Sequence, residues 1–119
     1  MAGMSVQQEE FAEFIRRIRA GDVKAAEEVV SRYGPELRFE LRMYLRRCNT
    51  RMRRVVDSMD IFQSVMASFF VRAAVGEFDL DRPDRLAHLL MEMARHKFTD
   101  QVKYYQRRRR DLRREQDLN

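Results

Sequence analysis

A chain of 119 residues, 45% apolar and 36% charged, is long enough for one domain with a modest core. A single cysteine excludes an internal disulfide framework and a cysteine-based zinc site, and no apolar run is long enough to span a membrane. The N-terminus lacks a signal-peptide pattern, so we expect a cytoplasmic protein with no membrane partner. Because glycine and proline are scarce and β-branched residues do not alternate, the composition predicts an all-α fold, a compact bundle of about four to five helices.

The net charge of +5 is distributed unevenly along the chain. Residues 1–56 carry 12 basic and 8 acidic side chains, residues 57–92 carry 3 and 7, and residues 93–119 carry 9 and 4. An acidic middle followed by a basic end suggests two different partners, one of which could be a polyanion.

The first half of the chain is predicted to form three helices, over residues 7–19, 23–33 and 35–47. Asp22 is suited to cap the second helix, because its carboxylate can accept hydrogen bonds from free backbone N–H groups. Gly34-Pro35 is expected to end that helix, since the α conformation is disfavoured before proline. The apolar positions at helical spacing are predicted to be buried: Phe11, Phe14, Ile15, Ile18, Val23, Ala26, Val29, Val30, Leu37, Leu41, Tyr44 and Leu45.

Residues 57–75 are predicted to form the central helix of the core, after a connector over residues 48–56. The apolar face of this helix carries Met59, Phe62, Val65, Met66, Phe69, Phe70 and Ala73. Its opposite face is small and lacks long charged side chains, and it carries Asp60, Ser64, Ala67, Ser68 and Val71, with Gln63 at its edge. Such a face could let another helix approach closely, although an uncharged surface without a partner is the more ordinary interpretation.

A loop beginning at Gly76 leads to the last helix, which is expected to start at Pro83-Asp84 and to continue beyond Arg110. Its predicted buried stripe is Leu86, Leu89, Leu90, Met93, Ala94 and Phe98. Its outer side presents a basic face with tyrosines nearby, which is equally consistent with phosphate tracking and base stacking or with a solvated basic surface.

Catalytic chemistry has little support in the sequence. There is no Gly-rich phosphate loop, no nucleophile elbow and no His-Glu-x-x-His motif. His88 and His96 are separated by about 12 Å along a helix, which is too far for both to bind one metal ion. We therefore expect a protein that is not an enzyme, with no catalytic residue, metal or cofactor.

Four motifs occur in an order that is similar to a known family. Residues 19–33 match an opening "GD…A…Y" helix pair, and Asp57 to Gln63 (DSMDIFQ) match "DxxDxxQ". Residues 89–97 resemble "WLxxIARN", with Asp100 following, and Arg107 to Arg110 match a basic end. Over residues 12–111 the chain resembles region 2 of bacterial extracytoplasmic-function (ECF) sigma factors, of the planctomycete type. It departs from that pattern where Ser64 replaces an acidic residue, Leu89 a tryptophan and His96 an asparagine.

The resemblance implies a protein that binds core RNA polymerase and that recognises and melts the promoter's minus-ten element. The central helix would dock on the clamp helices of the largest polymerase subunit, through Asp57, Asp60, Gln63, Ser64 and Ala67. The loop would hold a flipped base, and the last helix would face the non-template single strand. The implied DNA-binding residues are Phe78, Leu80, Arg82, Arg85, Arg95, His96, Thr99, Lys103, Tyr104 and Arg107. An anti-sigma protein is a further potential partner.

The expected organisation is a single region-2-like domain over residues 1–119, with its core at about 8–111. The second helical domain of such sigma factors, whose helix-turn-helix reads the minus-thirty-five element, is absent from this chain, so we expect a fragment of a longer protein. Two other interpretations stay open: a helical protein–protein adaptor, and a helical bundle that binds nucleic acid without specificity.

Overall fold

The computed structural model describes residue 3 and residues 5–118. These residues form five α-helices and no strand: α1 (Val6–Arg19), α2 (Val23–Arg46), α3 (Thr50–Val55), α4 (Ser58–Ala74) and α5 (Pro83–Asp117). The all-α bundle predicted from the composition is confirmed.

Helix α4 lies at the centre of the bundle, where it packs against α1, α2 and α5. Val65 and Phe69 on its inner face are fully buried. Burying an apolar side chain of this size contributes about 1.5–3 kcal/mol, so this face contributes substantially to the stability of the bundle. The core that surrounds it is built from apolar residues of every helix, among them Phe14, Ile15, Val29, Leu37, Leu41, Met52, Leu86 and Leu90.

The start of α1 is stabilised by a reciprocal capping box. The Ser5 hydroxyl accepts a hydrogen bond from the Gln8 backbone N–H at 3.1 Å, and the Gln8 side chain accepts one from the Ser5 N–H at 2.8 Å. All four positions predicted to be buried in this helix are buried, namely Phe11, Phe14, Ile15 and Ile18.

Asp22 caps α2 as predicted. Its carboxylate accepts hydrogen bonds from the backbone N–H groups of Lys24 and Ala25, at 2.9 and 3.2 Å. The Arg17 guanidinium also donates to it at 3.0 Å, and this contact, followed by the bond from Ala25, holds the pKa of the carboxyl below its ordinary value. A charged cap therefore joins the end of α1 to the start of α2.

The predicted break at Gly34-Pro35 is wrong, because α2 continues through both residues as one helix. Proline inside a helix removes a hydrogen bond and costs about 3 kcal/mol. That cost is outweighed here because Val29, Leu37 and Leu41 are fully buried on both sides of the proline. Pro35 itself is exposed, so the carbonyl that it leaves without an N–H partner can be hydrated. Gly34 is buried and leaves room for the ring of Phe62, whose Cζ lies 3.4 Å from where a Cβ would be.

Two further details of the predicted α2 core differ from the structure. Val23 is 68% exposed, because it is the first residue of the helix, and Ala26 is half-buried while the neighbouring Ala25 is fully buried. Val30, Tyr44 and Leu45 are partly buried against the core.

The connector over residues 48–56 contains a helix that the sequence did not reveal. Asn49 caps α3 by accepting a hydrogen bond from the Met52 N–H at 2.8 Å, and Met52 and Val56 are buried. Six residues are less than two helical turns and hold one buried side chain within the helix, so apolar periodicity could not detect it.

Helix α4 begins after Asp57, whose carboxylate accepts from the Met59 N–H at 2.9 Å. Its predicted core face is confirmed at Phe62, Val65, Met66, Phe69 and Ala73, with Phe70 partly buried.

One edge of that face was predicted wrongly. Met59 is 44% exposed, whereas Ile61 is buried. The two residues lie at opposite edges of the apolar face, and α5 covers the edge that carries Ile61. Which edge is covered depends on the neighbouring helix and cannot be read from the spacing.

Helix α5 starts at Pro83, as predicted, and its 35 residues extend for about 52 Å. Leu86, Leu90, Met93 and Ala94 are buried, and Leu89 and Phe98 pack partly against the core. Every residue from Gln106 to Leu118 is exposed. The described chain measures 73 × 27 × 27 Å, so the C-terminal part of α5 projects beyond the bundle.

Replacing Pro35 with alanine is expected to stabilise the protein by about 1–3 kcal/mol, because alanine restores the helical N–H and relieves the clash with the preceding turn. Urea unfolding measures the change, and Glu36→Ala, at the exposed neighbouring position, is the control that should leave stability nearly unchanged. A Pro35→Ala protein no more stable than the control would contradict a continuous α2.

Candidate functional site

One side of α4 is open to solvent although it carries little charge. Asp60, Gln63, Ser64 and Ala67 are all exposed along it, and Asp57 is exposed at its cap. We call these five residues the α4 face, and they are the five that the resemblance assigned to polymerase binding. No lysine or arginine occurs between Asp57 and Val71. The side chains on this face are short, so a helix of another protein can come close to the α4 backbone.

The α4 face continues into a groove between α4 and α5. A cavity of about 300 Å³ lies here, lined by Asp60, Ile61, Ser64, Lys97, Asp100, Gln101 and Tyr104. Tyr104 is 50% exposed, and its ring meets that of Tyr105 edge-on at 5.3 Å. Tyr104, which the resemblance assigns to DNA binding, lines this groove together with Asp60 and Ser64.

Three residues on the α5 side of this groove, Lys97, Asp100 and Gln101, were not among the predicted site residues. Lys97, Asp100, Gln101 and Tyr104 are spaced at i, i+3, i+4 and i+7, which places them on one face of a helix. That spacing is detectable, but in polar residues it ordinarily indicates solvent exposure.

The loop after α4 is anchored to the core through Phe78. Its ring stacks on that of Phe69, with centroids 5.7 Å apart and planes inclined by 8°, and the Arg72 guanidinium lies 4.8 Å from its centroid. The Arg19 side chain donates to the Phe78 carbonyl at 2.7 Å, and Arg72 pairs with Glu77 at 2.6 Å. Phe78 therefore extends the core into the loop and fixes the position of the loop backbone.

Gly76 provides the change of direction into this loop. Its φ of +76° is a conformation that residues with a Cβ rarely adopt, and the following Glu77 N–H donates to the Arg72 carbonyl at 3.1 Å. The chain thus leaves α4 at a fixed angle and passes beside Phe69.

An open cavity of about 540 Å³ lies between the loop and the first turns of α5. It is lined by four of the predicted DNA-binding residues, Phe78, Leu80, Arg82 and Arg85, and also by Glu77, Asp79, Asp84, His88, Leu89 and Glu92. Arg85 is paired with Asp81 at 3.2 Å, and His88 with Glu92 at 3.2 Å. We call this space the loop cavity.

The chemistry of the loop cavity suits a nucleobase better than a phosphate. Its carboxylates repel phosphate but can accept hydrogen bonds from the exocyclic amino group of cytosine or adenine. Leu80 and Leu89 are half-buried at its wall and offer apolar contact to the flat face of a base.

The outer side of α5 carries an exposed row that we call the α5 stripe: Arg95, His96, Thr99, Lys103 and Arg107. At about 100° per residue these positions lie within roughly a third of the helix circumference. None of the ion pairs formed by the described residues involves Arg95, Lys103 or Arg107, so their charges are available to phosphates. Tyr104 lies at the edge of this row, on the side that faces α4.

Comparison of the sequence with protein-family models, with curated proteins and with solved structures finds no match. Within residues 5–118, no group of three or more histidine, cysteine, aspartate or glutamate side chains is placed to hold a metal ion. None of the helices described here combines the length and the apolarity that crossing a membrane requires.

Removing the ring of Phe78 is expected to destabilise the bundle. Phe78→Ala should cost about 1–3 kcal/mol in urea unfolding, less than the 3–5 kcal/mol of a fully buried phenylalanine because the ring is half-buried. Arg82→Ala changes an exposed residue of the same cavity and should leave stability unchanged. Equal stability of the two variants would show that the ring does not anchor the loop.

Proposed function

We propose that this chain is a sigma-factor domain of the region-2 type, which binds core RNA polymerase through the α4 face and captures a melted promoter strand with the loop cavity and the α5 stripe. The proposal rests on the ordered motif resemblance. The exposure of all five residues of the α4 face is the observation that favours it most.

Docking on a helical partner explains why the α4 face is both small and open. A partner helix can lie against Ser64 and Ala67 with little obstruction, while Asp60 and Gln63 offer an anionic acceptor and an amide beside them. The adjoining groove at Tyr104 can take one side chain from the partner. The polymerase clamp helices, the partner implied by the resemblance, supply such a surface.

Two parts of the molecule would bind the melted strand: the loop cavity holds a base, and the α5 stripe contacts the phosphates. A base turned out of the stack costs a few kcal/mol, which hydrogen bonds and apolar contact in the loop cavity offset. The phosphates that follow it can run along Arg95, Lys103 and Arg107, which add affinity but no sequence information. The domain acts without catalysis or a cofactor, in the cytoplasm, and its promoter target is the non-template strand of the minus-ten element.

Removal of two polar groups from the α4 face is expected to weaken polymerase binding strongly. Asp60→Ala/Gln63→Ala should weaken binding to the isolated clamp-helix segment of the largest subunit by about tenfold to hundredfold, as loss of two central interface contacts does. Titration calorimetry measures the affinity.

The matched control is Gln7→Ala/Glu10→Ala, which removes an amide and a carboxylate at the same spacing from exposed positions of α1. Equal affinities for the two double variants, or no binding by the unmodified chain, would contradict the proposal and favour the adaptor.

Binding to single-stranded minus-ten DNA is expected to depend on salt through the α5 stripe. Arg95→Ala/Lys103→Ala should reduce the slope of log K against log salt by about 1.4, since each phosphate contact to a single strand contributes about 0.7. Lys24→Ala/Arg42→Ala removes two exposed cations of α2 and should leave the slope unchanged.

A single strand of scrambled sequence distinguishes the sigma proposal from a bundle that binds nucleic acid without specificity. Equal affinity for the promoter strand and the scrambled strand would indicate a bundle that binds nucleic acid without specificity.

A further inference from the structure

A dense cluster of arginines lies at the end of the bundle where α3 meets α5. Residues 46–56 contain five arginines and no carboxylate. Residues 107–114 contain six arginines and one carboxylate, that of Asp111. Helix α3 packs against both α2 and α5, so the two groups lie at the same end of the bundle, with Arg51 close enough for its charge to act on Arg109. We call the eleven side chains the arginine end: Arg46, Arg47, Arg51, Arg53, Arg54, Arg107, Arg108, Arg109, Arg110, Arg113 and Arg114.

Arginines outnumber carboxylates at the arginine end, where Asp111 and Asp117 line a cavity together with Arg107, Arg110, Arg113 and Arg114. Six ion pairs occur among the residues that the structure describes, and none of them involves an arginine of the arginine end. Elsewhere some arginines pair with a carboxylate of their own helix, as Arg16 does with Glu13 and Arg32 with Glu28. The arginine end is distinguished from the other surfaces by its density of arginines, eleven within residues 46–54 and 107–114.

The contact between α3 and α5 places like charges near one another. The charge of Arg51 is the largest cause of a lowered pKa at Arg109, followed by partial desolvation and by the charge of Arg113. All three side chains are exposed, so an anion can reach them from solvent. Phosphates seated between these guanidinium groups would replace repulsion by attraction.

The shape of the projecting part of α5 selects the kind of polyanion. Arg107 to Arg110 are consecutive, so their side chains point outward at intervals of about 100° around the helix axis. A helix with side chains is about 10–12 Å across and fits the major groove of duplex DNA, about 12 Å wide, with a phosphate backbone on each side. A single strand would engage only one side of such a helix.

The same segment is poorly suited to a lipid surface. Between Gln106 and Leu118 the only apolar side chains are Leu112 and Leu118. An interfacial membrane helix needs a continuous apolar face to bury in the lipid, and arginines here occupy every direction.

We infer that the arginine end is a binding surface for the phosphate backbone of duplex DNA, with the projecting part of α5 in the major groove and Arg51, Arg109 and Arg113 on one flanking strand. This surface differs from the α5 stripe in every residue except Arg107, which belongs to both. It acts in the chain alone and does not depend on polymerase binding.

The test compares binding of the full chain to a 20-base-pair DNA duplex and to one of its strands, as a function of salt. Arg51→Gln/Arg109→Gln/Arg113→Gln should weaken duplex binding about tenfold or more and reduce the salt slope by about 2.7, since each phosphate contributes about 0.9 in duplex DNA. Binding to the single strand should change little, because the α5 stripe is intact. Glutamine keeps the helix propensity and removes the charge, and circular dichroism checks that each variant is folded.

The matched control is Arg16→Gln/Arg32→Gln/Arg42→Gln, which lowers the net charge equally at exposed positions of α1 and α2. An equal loss of duplex affinity in both triple variants would overturn the inference, because net charge alone would then explain it. It would also be overturned by an unchanged triple variant, or by tight binding of the chain to anionic lipid vesicles with none to duplex.

Failure of this inference and failure of the proposed function give different results. If clamp-helix binding is unaffected by Asp60→Ala/Gln63→Ala, the sigma proposal is contradicted, but the duplex-binding result still holds. If clamp-helix binding is weakened by Asp60→Ala/Gln63→Ala while duplex binding is the same in all arginine variants, the sigma proposal is supported and the duplex inference is overturned.

Discussion

Burial of Phe69 is the constraint on which both the bundle and its candidate site depend. The ring is inaccessible to solvent at the centre of α4, and the loop residue Phe78 stacks on it. A helix can take only one rotation about its axis, so the orientation that buries Val65 and Phe69 also turns Asp60 and Ser64 outward. The same ring holds the loop that forms one wall of the loop cavity. Burial of the Phe69 ring thus determines both the exposure of the α4 face and the position of the neighbouring loop cavity.

Where helical periodicity was strong, the fold could be predicted from the sequence. The bounds of α1, α4 and the start of α5 follow from apolar spacing and caps, because each of these helices presents one face to a single core. The break at Pro35 was wrong because the local preference of one residue was outweighed by burial on both sides of it, including Phe62 packed over Gly34. That burial involves residues far apart in sequence, which no local rule weighs.

The candidate site was predictable to the extent that it follows from rotation of a helix. Exposure of Gln63 and Ala67 follows from the core face of α4, and exposure of the α5 stripe follows from the burial of Leu90 and Met93 in the same way. The stacking of Phe78 on Phe69 and the location of Tyr104 beside Asp60 could not be predicted, since each depends on a contact between residues of different elements. Spacing along one helix contains no information about a neighbour contributed by another.

Helix α5 shows why an unneutralised charge cluster can persist in a stable domain. Its buried and half-buried contacts end at Tyr105, so the residues beyond it add almost nothing to the core. Repulsion among exposed arginines there is screened by salt and costs the fold little, whereas the same density near Leu90 would have to be balanced by carboxylates. The fold therefore places no strong restriction on charge in the projecting segment. The bundle itself therefore neither requires nor prevents the approach of Arg51 to Arg109 across α3 and α5, and a surface for an external anion is compatible with the stability of the fold.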